Sequence, residues 1–152
     1  MGSANWYSPT YSPQTGLFYQ AAKEMGTYFF KSDARSKYEQ GRVFDGGGFR
    51  SVGGDEASGA VRALEATTGT LKWEFKLLSP PWMSLLSTAG GLVFGGTEEG
   101  NFIALDAENG RLLWDVQLGA AVRAGNPIAF SVDGKQYVTI AAGSTLFVFG
   151  LP

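Results

Sequence analysis

Cysteine and histidine are both absent from these 152 residues. Their absence excludes disulfides, thiolate and imidazole metal sites, and nucleophilic machinery built on Cys or on a Ser–His pair. Charge is scarce too: Lys, Arg, Asp and Glu make up 17% of the chain, and the formal net charge is −2. Such a balance carries no electrostatic footprint for nucleic acid or an anionic membrane. No apolar run approaches the ~20 residues of a membrane span. The polar opening Met1-Gly-Ser-Ala-Asn-Trp6 is not a secretory signal. What is plentiful is glycine, at 22 residues, and aromatics, at 14%. That combination fits a globular all-β chain with many tight turns.

A repeat organises the sequence. Ala63-Leu-Glu-Ala-Thr-Thr-Gly-Thr-Leu-Lys-Trp73 returns as Ala104-Leu-Asp-Ala-Glu-Asn-Gly-Arg-Leu-Leu-Trp114, with six of the eleven positions identical. Tryptophans 73 and 114 set the offset at 41 residues, and Gly59/Gly100 and Leu77/Leu118 keep the same phase. A period of about forty with hairpin turns and one tryptophan per unit is the pattern of a propeller blade. A helical repeat of similar length would need apolar residues three and four apart through most of the unit, and these segments are too short and glycine-rich for that. Within each copy, a half-buried strand leads to an acidic residue and then a glycine, which turn the chain. The acidic side chain accepts backbone N–H groups there, and the glycine takes a positive φ. The outer strand then carries an indole able to wedge against the next blade.

Strand and turn signals divide the chain into three blades. Residues 5–77 form the first, with an insertion at 25–58 that includes a short strand near Thr27–Phe30 and the polar run Asp45-Gly-Gly-Gly48. Residues 84–118 form the second. Residues 123–150 form a third with three strands, hinged at Asp133-Gly134, a strong hairpin signal. The fold class is therefore all-β: a partial propeller of about three four-stranded blades, the last incomplete. About four blades are the minimum for a closed ring, so exposed sheet edges and blade faces are expected.

Three segments carry a more specific resemblance. They are the opening Asn5-Trp-Tyr-Ser-Pro-Thr-Tyr-Ser-Pro-Gln-Thr-Gly16, the central Pro80-Pro-Trp82 with residues 86–106, and the closing Asp133-Gly-Lys-Gln-Tyr-Val138 with Ile140-Ala-Ala-Gly143. In this order they resemble the C-terminal region of pyrroloquinoline-quinone (PQQ) dependent alcohol dehydrogenases. The doubled unit resembles that family's tryptophan-docking motif, A-x-D-x-x-T-G-x-x-x-W, and departs from it at Glu65 and Asn109. The resemblance implies an eight-bladed periplasmic enzyme. It implies PQQ on the propeller axis beside calcium or a lanthanide, a small alcohol as substrate, and a cytochrome c or other electron acceptor. It also implies that the catalytic aspartate and the metal ligands lie in blades outside this chain, so no catalytic or metal-binding residue is assigned here.

Two cofactor-binding candidates follow from the resemblance. Asn5 matches a cofactor-contacting asparagine, and its carboxamide donates without ionising; the alternative is a strand or turn cap. Trp82 matches a tryptophan near the cofactor edge, with an N–H donor and a flat face; the alternative is packing between blades after the Pro80-Pro81 corner. Trp6 reads as core, with lining of the cofactor cavity as the alternative, and Ala141-Ala142 as small residues that admit backbone near the axis. Glu98-Glu99 and Asp55-Glu56 read as solvated pairs, since adjacent side chains diverge. The glycines near Asp45 and Gly53 lack phosphate-loop spacing. Lys31, Arg35, Lys37, Arg42 and Arg50 read as an exposed loop surface. A second class of function stays open: a non-enzymatic scaffold propeller such as the outer-membrane assembly lipoproteins. On the first reading the isolated 152-residue chain is expected to be inactive.

Overall fold

The computed structural model describes residues 3–32, 37–44, 46–52 and 57–150. Every regular element among them is a strand: β1 Thr10–Ser12, β2 Leu17–Glu24, β3 Gly26–Lys31, β4 Gly47–Val52, β5 Ser58–Glu65, β6 Leu71–Leu77, β7 Leu86–Ser87, β8 Leu92–Gly96, β9 Asn101–Asp106, β10 Leu112–Gln117, β11 Ile128–Val132, β12 Lys135–Ala142 and β13 Thr145–Gly150. They form antiparallel sheets in the orders β1-β2-β5-β6, β7-β8-β9-β10 and β11-β12-β13, with β3-β4 as a separate hairpin. The result is an unclosed, partial propeller. The innermost strands of the first two sheets are tied together, the hydroxyls of Thr10 and Ser87 lying 2.7 Å apart.

Turn chemistry accounts for the hairpins. Gly16 takes φ 70° and its N–H closes the β1–β2 turn on Ser12 O at 2.9 Å. Asp133 and Gly134 both take positive φ, as a two-residue hairpin connection with the twist of its strands requires. The inserted hairpin is longer than its sequence suggests. Residues 47–52, part of the polar remainder, pair in register with β3, from Gly26↔Val52 to Lys31↔Gly47. The glycines suit the pairing: a Cβ on Gly47 would collide with the Phe30 carbonyl, and the Phe30 ring lies across Gly48. The first inner strand occupies only Thr10–Ser12 of the expected strand Asn5 to Ser12, because residues 5–9 serve as a lead-in instead. Asp45, Gly53, Asp55, Glu56 and Arg35 lie outside the described residues.

Two apolar layers hold the three sheets. The first contains Leu17, Tyr19 and Ala21 from β2 and Val61 and Ala63 from β5, facing Val93, Ile103 and Leu105 of the second sheet. The second contains Phe94, Phe102 and Ala104 facing Val138, Ile140 and Ala142 of the third. Strand β9 feeds both layers, sending Phe102 and Ala104 one way and Ile103 and Leu105 the other. Successive side chains point to opposite faces, so a strand covered on both sides reads as a continuous apolar run. Both edge strands of the third sheet are bare: Leu146 and Val148 of β13 and Ile128 and Val132 of β11 are exposed.

The repeat is structural down to its irregularities. Ala63 pairs with Trp73 and Leu64 with Leu71, a register shift of one residue. Ala104 and Leu105 pair with Trp114 and Leu112 in the same shifted way. In both copies the turn closes through the glycine N–H, Gly69 to Glu65 O at 2.8 Å and Gly110 to Asp106 O at 2.9 Å. The sequence departures have a physical account. Asp106 Oδ1 accepts the Glu108 N–H at 2.9 Å, whereas the longer Glu65 carboxylate reaches outward to Lys72 Nζ at 2.9 Å. Thr68 Oγ1 accepts the Thr70 N–H, and Asn109 Oδ1 accepts the Arg111 N–H in the same position.

Candidate functional site

The lead-ins to the three inner strands meet at one end of the sheets. Ser8 N–H donates to Ser84 Oγ at 3.0 Å, Leu85 N–H to Ser8 O at 3.0 Å, Ser84 N–H to Gly125 O at 3.2 Å, and Ala124 N–H to Trp82 O at 2.6 Å. Val122 N–H donates to Thr97 O at 3.0 Å, which ties the β8–β9 turn to the same cluster. Backbone groups that no strand ladder satisfies are thus paired with one another.

Two glycines of equal repeat phase make this convergence possible. A Cβ on Gly59 would collide with the Pro81 ring, and one on Gly100 would stand 2.8 Å from Ala120 O. In each sheet the chain heading for the next blade therefore passes directly over a bare backbone. Over Gly59, the Pro80-Pro81 corner delivers Trp82 above the end of β2.

There Trp82 meets Lys23. The alternation that turns Leu17, Tyr19 and Ala21 toward the second sheet turns Lys23 the same way. Lys23 is 3% exposed, and its Nζ has no hydrogen-bond partner among the described residues. It lies 3.2 Å from the centroid of the Trp82 ring and 5.0 Å from that of Tyr7. Burial pushes its ammonium below the usual lysine range. Tyr7 and Trp82 meet edge to face at 6.3 Å.

Beside these rings opens a cavity of about 290 Å³ lined by Tyr7, Trp82, Arg123 and Ala124. Arg123 is held by an ion pair with Glu98 across the β8–β9 turn. Ala124 has φ 57°, a left-handed conformation that costs a residue with a Cβ about 1–2 kcal/mol. Its short hydrogen bond to Trp82 O accompanies that strain. A flat indole, a phenol ring and a guanidinium are chemically suited to a planar, anionic ligand.

Of the two sequence-predicted cofactor residues, Trp82 lines this cavity and Asn5 does not. Asn5 is exposed, and its Oδ1 accepts the Trp6 N–H at 2.8 Å, a local cap that leaves the amide nitrogen able to donate. Trp6, expected in the core, is 68% exposed and instead leans on Tyr7 with ring centroids 4.2 Å apart. Ala142 sits in the second apolar layer, while the Ala141 carbonyl lies where a Cβ on Gly125 would come within 2.9 Å. Glu98 and Glu99 are not a free pair. Glu98 holds Arg123, and hydrogen bonds from Ser79 and Thr97 outweigh burial to keep the Glu99 carboxyl below its usual range. Lys31, Lys37, Arg42 and Arg50 are exposed, with Arg42 paired to Glu39 at 3.1 Å.

Sequence reasoning missed Lys23, Tyr7, Arg123 and Ala124. For Lys23 a signal existed: it is the one charged residue in the buried phase 17-19-21-23 of its strand. For Ala124 none did, since a left-handed alanine has no sequence mark.

Comparison with known proteins bears on this arrangement. The family model PQQ_2, described as outer membrane protein assembly factor BamB, matches residues 57–149. The quinoprotein alcohol dehydrogenase PedE of Pseudomonas putida is 38% identical over 144 residues, 94% of this chain and 22% of its own length. A solved quinohemoprotein alcohol dehydrogenase from Pseudomonas putida HK5 superposes with a TM-score of 0.81 at 30% identity, covering 95% of this chain and 23% of that one. A europium-containing methanol dehydrogenase gives 0.81 at 35% identity, covering 92% and 25%. The chain thus spans roughly a quarter of the length of the relatives it matches. With repeat, sheets and family match in agreement, the chain belongs to the PQQ_2 repeat family and resembles the C-terminal region of the quinoprotein alcohol dehydrogenases.

Proposed function

We propose that this chain supplies blades of a PQQ-dependent alcohol dehydrogenase and that the cavity beside Trp82 is its share of the cofactor pocket. The observation that carries the reading is the convergence of three inner-strand lead-ins on an indole backed by a buried ammonium. PQQ is flat and carries carboxylates; when bound it supplies a quinone carbonyl that takes up hydride from the alcohol carbon. Trp82 covers or edges its ring system, Arg123 faces its negative charge, and Asn5 donates through its free amide nitrogen. Tyr7 and Pro81 hold the indole and keep water from its buried face. The proton acceptor, the calcium or lanthanide ligands and the remaining blades belong to other parts of the enzyme. So does the docking surface for a cytochrome c or other acceptor. The setting is the periplasm. In this reading the seat of Trp73 on the next blade is the family's tryptophan docking.

The test is dye-linked oxidation of primary alcohols by the encoded full chain reconstituted with PQQ and Ca²⁺ or a lanthanide. Activity falling at least tenfold with Trp82→Ala is expected, with no turnover by the 152-residue piece alone. Turnover by that piece, or full activity of the Trp82 variant, contradicts the proposal. The description attached to the matching family model favours a second reading, a scaffold propeller without cofactor. Failure of the full chain to bind PQQ would select it.

A further inference from the structure

Lys23 is a costly residue where it stands. A buried ammonium without hydrogen bonds is unfavourable unless something replaces water around it. Here the replacement is two aromatic rings, with Nζ 3.2 Å from the Trp82 centroid and 5.0 Å from that of Tyr7. Gly59 and the Pro81 ring lock the corner that brings the indole there. The lysine is not part of the cavity wall; Tyr7, Trp82, Arg123 and Ala124 are. It lies over one face of that indole.

We propose that Lys23 is a positioning residue that fixes the Trp82 indole and, by its charge, makes the cavity select anionic planar ligands over neutral ones. An aromatic face is negative and attracts a cation, indole most strongly. A cation held on one face withdraws that negative potential, so the opposite face and the ring N–H become more favourable to an electron-rich partner. Arg123 on the cavity wall is already paired with Glu98, so the selection by charge rests on Lys23. The ligand class rests on the reading of this cavity as the PQQ site; the positioning of the indole does not.

The experiment has a ligand-free arm and a binding arm, both on the encoded full chain. Nitrogen-labelled tryptophan gives one indole N–H resonance per ring, and Trp82→Phe identifies that of Trp82. Lys23→Met, which keeps length and removes charge, is expected to move the Trp82 resonance and leave that of Trp73 in place. Lys23→Arg is expected to leave both near their original positions. In the binding arm, Lys23→Met lowers affinity for PQQ about tenfold. It lowers affinity for the neutral trimethyl ester of PQQ by a smaller factor, and Lys23→Arg retains PQQ binding. An unmoved Trp82 resonance in Lys23→Met overturns the proposal. So does equal loss of PQQ and its ester, or a Lys23→Arg variant that behaves like Lys23→Met. If Trp82→Phe binds PQQ as tightly as the original chain, the cofactor reading fails, and the ligand-free resonance alone decides the role of Lys23.

Discussion

Two copies of one eleven-residue unit have different fates in this molecule. Trp73 is 8% exposed, and its Nε1–H donates to Ala107 O of the next sheet at 3.0 Å. Tyr19 OH donates to the same oxygen at 2.9 Å, and the indole lies on Gly110, where a Cβ would be 2.5 Å from Cε3. Trp114 sits in the same register of its own strand but is 39% exposed. It rests edge-on against Phe102 and Phe149 beside an apolar cavity of about 320 Å³. The difference lies in the neighbour. The second sheet offers Trp73 a turn with a bare Gly110; among the described residues the third sheet meets Trp114 through Phe149 of β13. Around the first copy's own turn, a Cβ on Gly69 would meet no atom of the described residues. The motif is half a joint, completed only by the blade that follows.

The largest effect expected from this comparison is on the tryptophans themselves. Trp73→Ala should cost about 3–5 kcal/mol in denaturant unfolding. Trp114→Ala, removing a half-exposed ring, should cost about 1 kcal/mol. Equal costs would erase the distinction. The two glycines sharpen it. In the 152-residue chain, Gly69→Ala meets only the strain of a left-handed alanine, about 1–2 kcal/mol. Gly110→Ala adds a collision with the indole and should cost at least about 2 kcal/mol more; a measured match between them would show that the indole moves away freely. Smaller again is the turn carboxylate. Asp106→Ala removes an acceptor for the Glu108 N–H and should cost about 1 kcal/mol, as a lost cap does. Glu65→Ala, whose partner is an exposed lysine, should cost less, and the reverse order would undo the account of why the two copies differ there.

Lys23 adds a pH-dependent prediction. Its folded-state pKa is lowered by burial, so over the window below the ordinary lysine value the unfolded chain binds more protons. Stability should therefore rise as pH climbs through the depressed pKa toward that ordinary value. Lys23→Met should remove this rise and raise stability at neutral pH, while weakening PQQ binding. A variant that loses both stability and binding would mark the lysine as a structural element alone.

The sheets were legible because period and turn chemistry agree. The 41-residue repeat, the Pro13–Gly16 and Asp133-Gly134 turns and the two-sided apolar run of β9 each reflect a local requirement that leaves a mark in sequence. The inserted strand β4 was not legible, since Gly47-Gly-Phe-Arg-Ser-Val52 owes its pairing to β3 and to the Phe30 ring across Gly48. Around the site, Trp82 was accessible through a resemblance. The residues surrounding it are brought together by lead-ins from three blades, and nothing in the spacing of Tyr7, Lys23, Arg123 and Ala124 reveals that meeting. Gly59 and Gly100 stood out by phase, but their reason, a neighbouring blade's chain crossing overhead, is tertiary.

Hydrogen exchange of the indole N–H groups tests the central asymmetry most directly. Trp73, bonded to Ala107 O and buried, should exchange only with opening of the interface between the first and second sheets. Trp114, with no hydrogen bond to its nitrogen among the described residues, should exchange orders of magnitude faster. Comparable protection at both positions would contradict the claim that the following blade completes the joint.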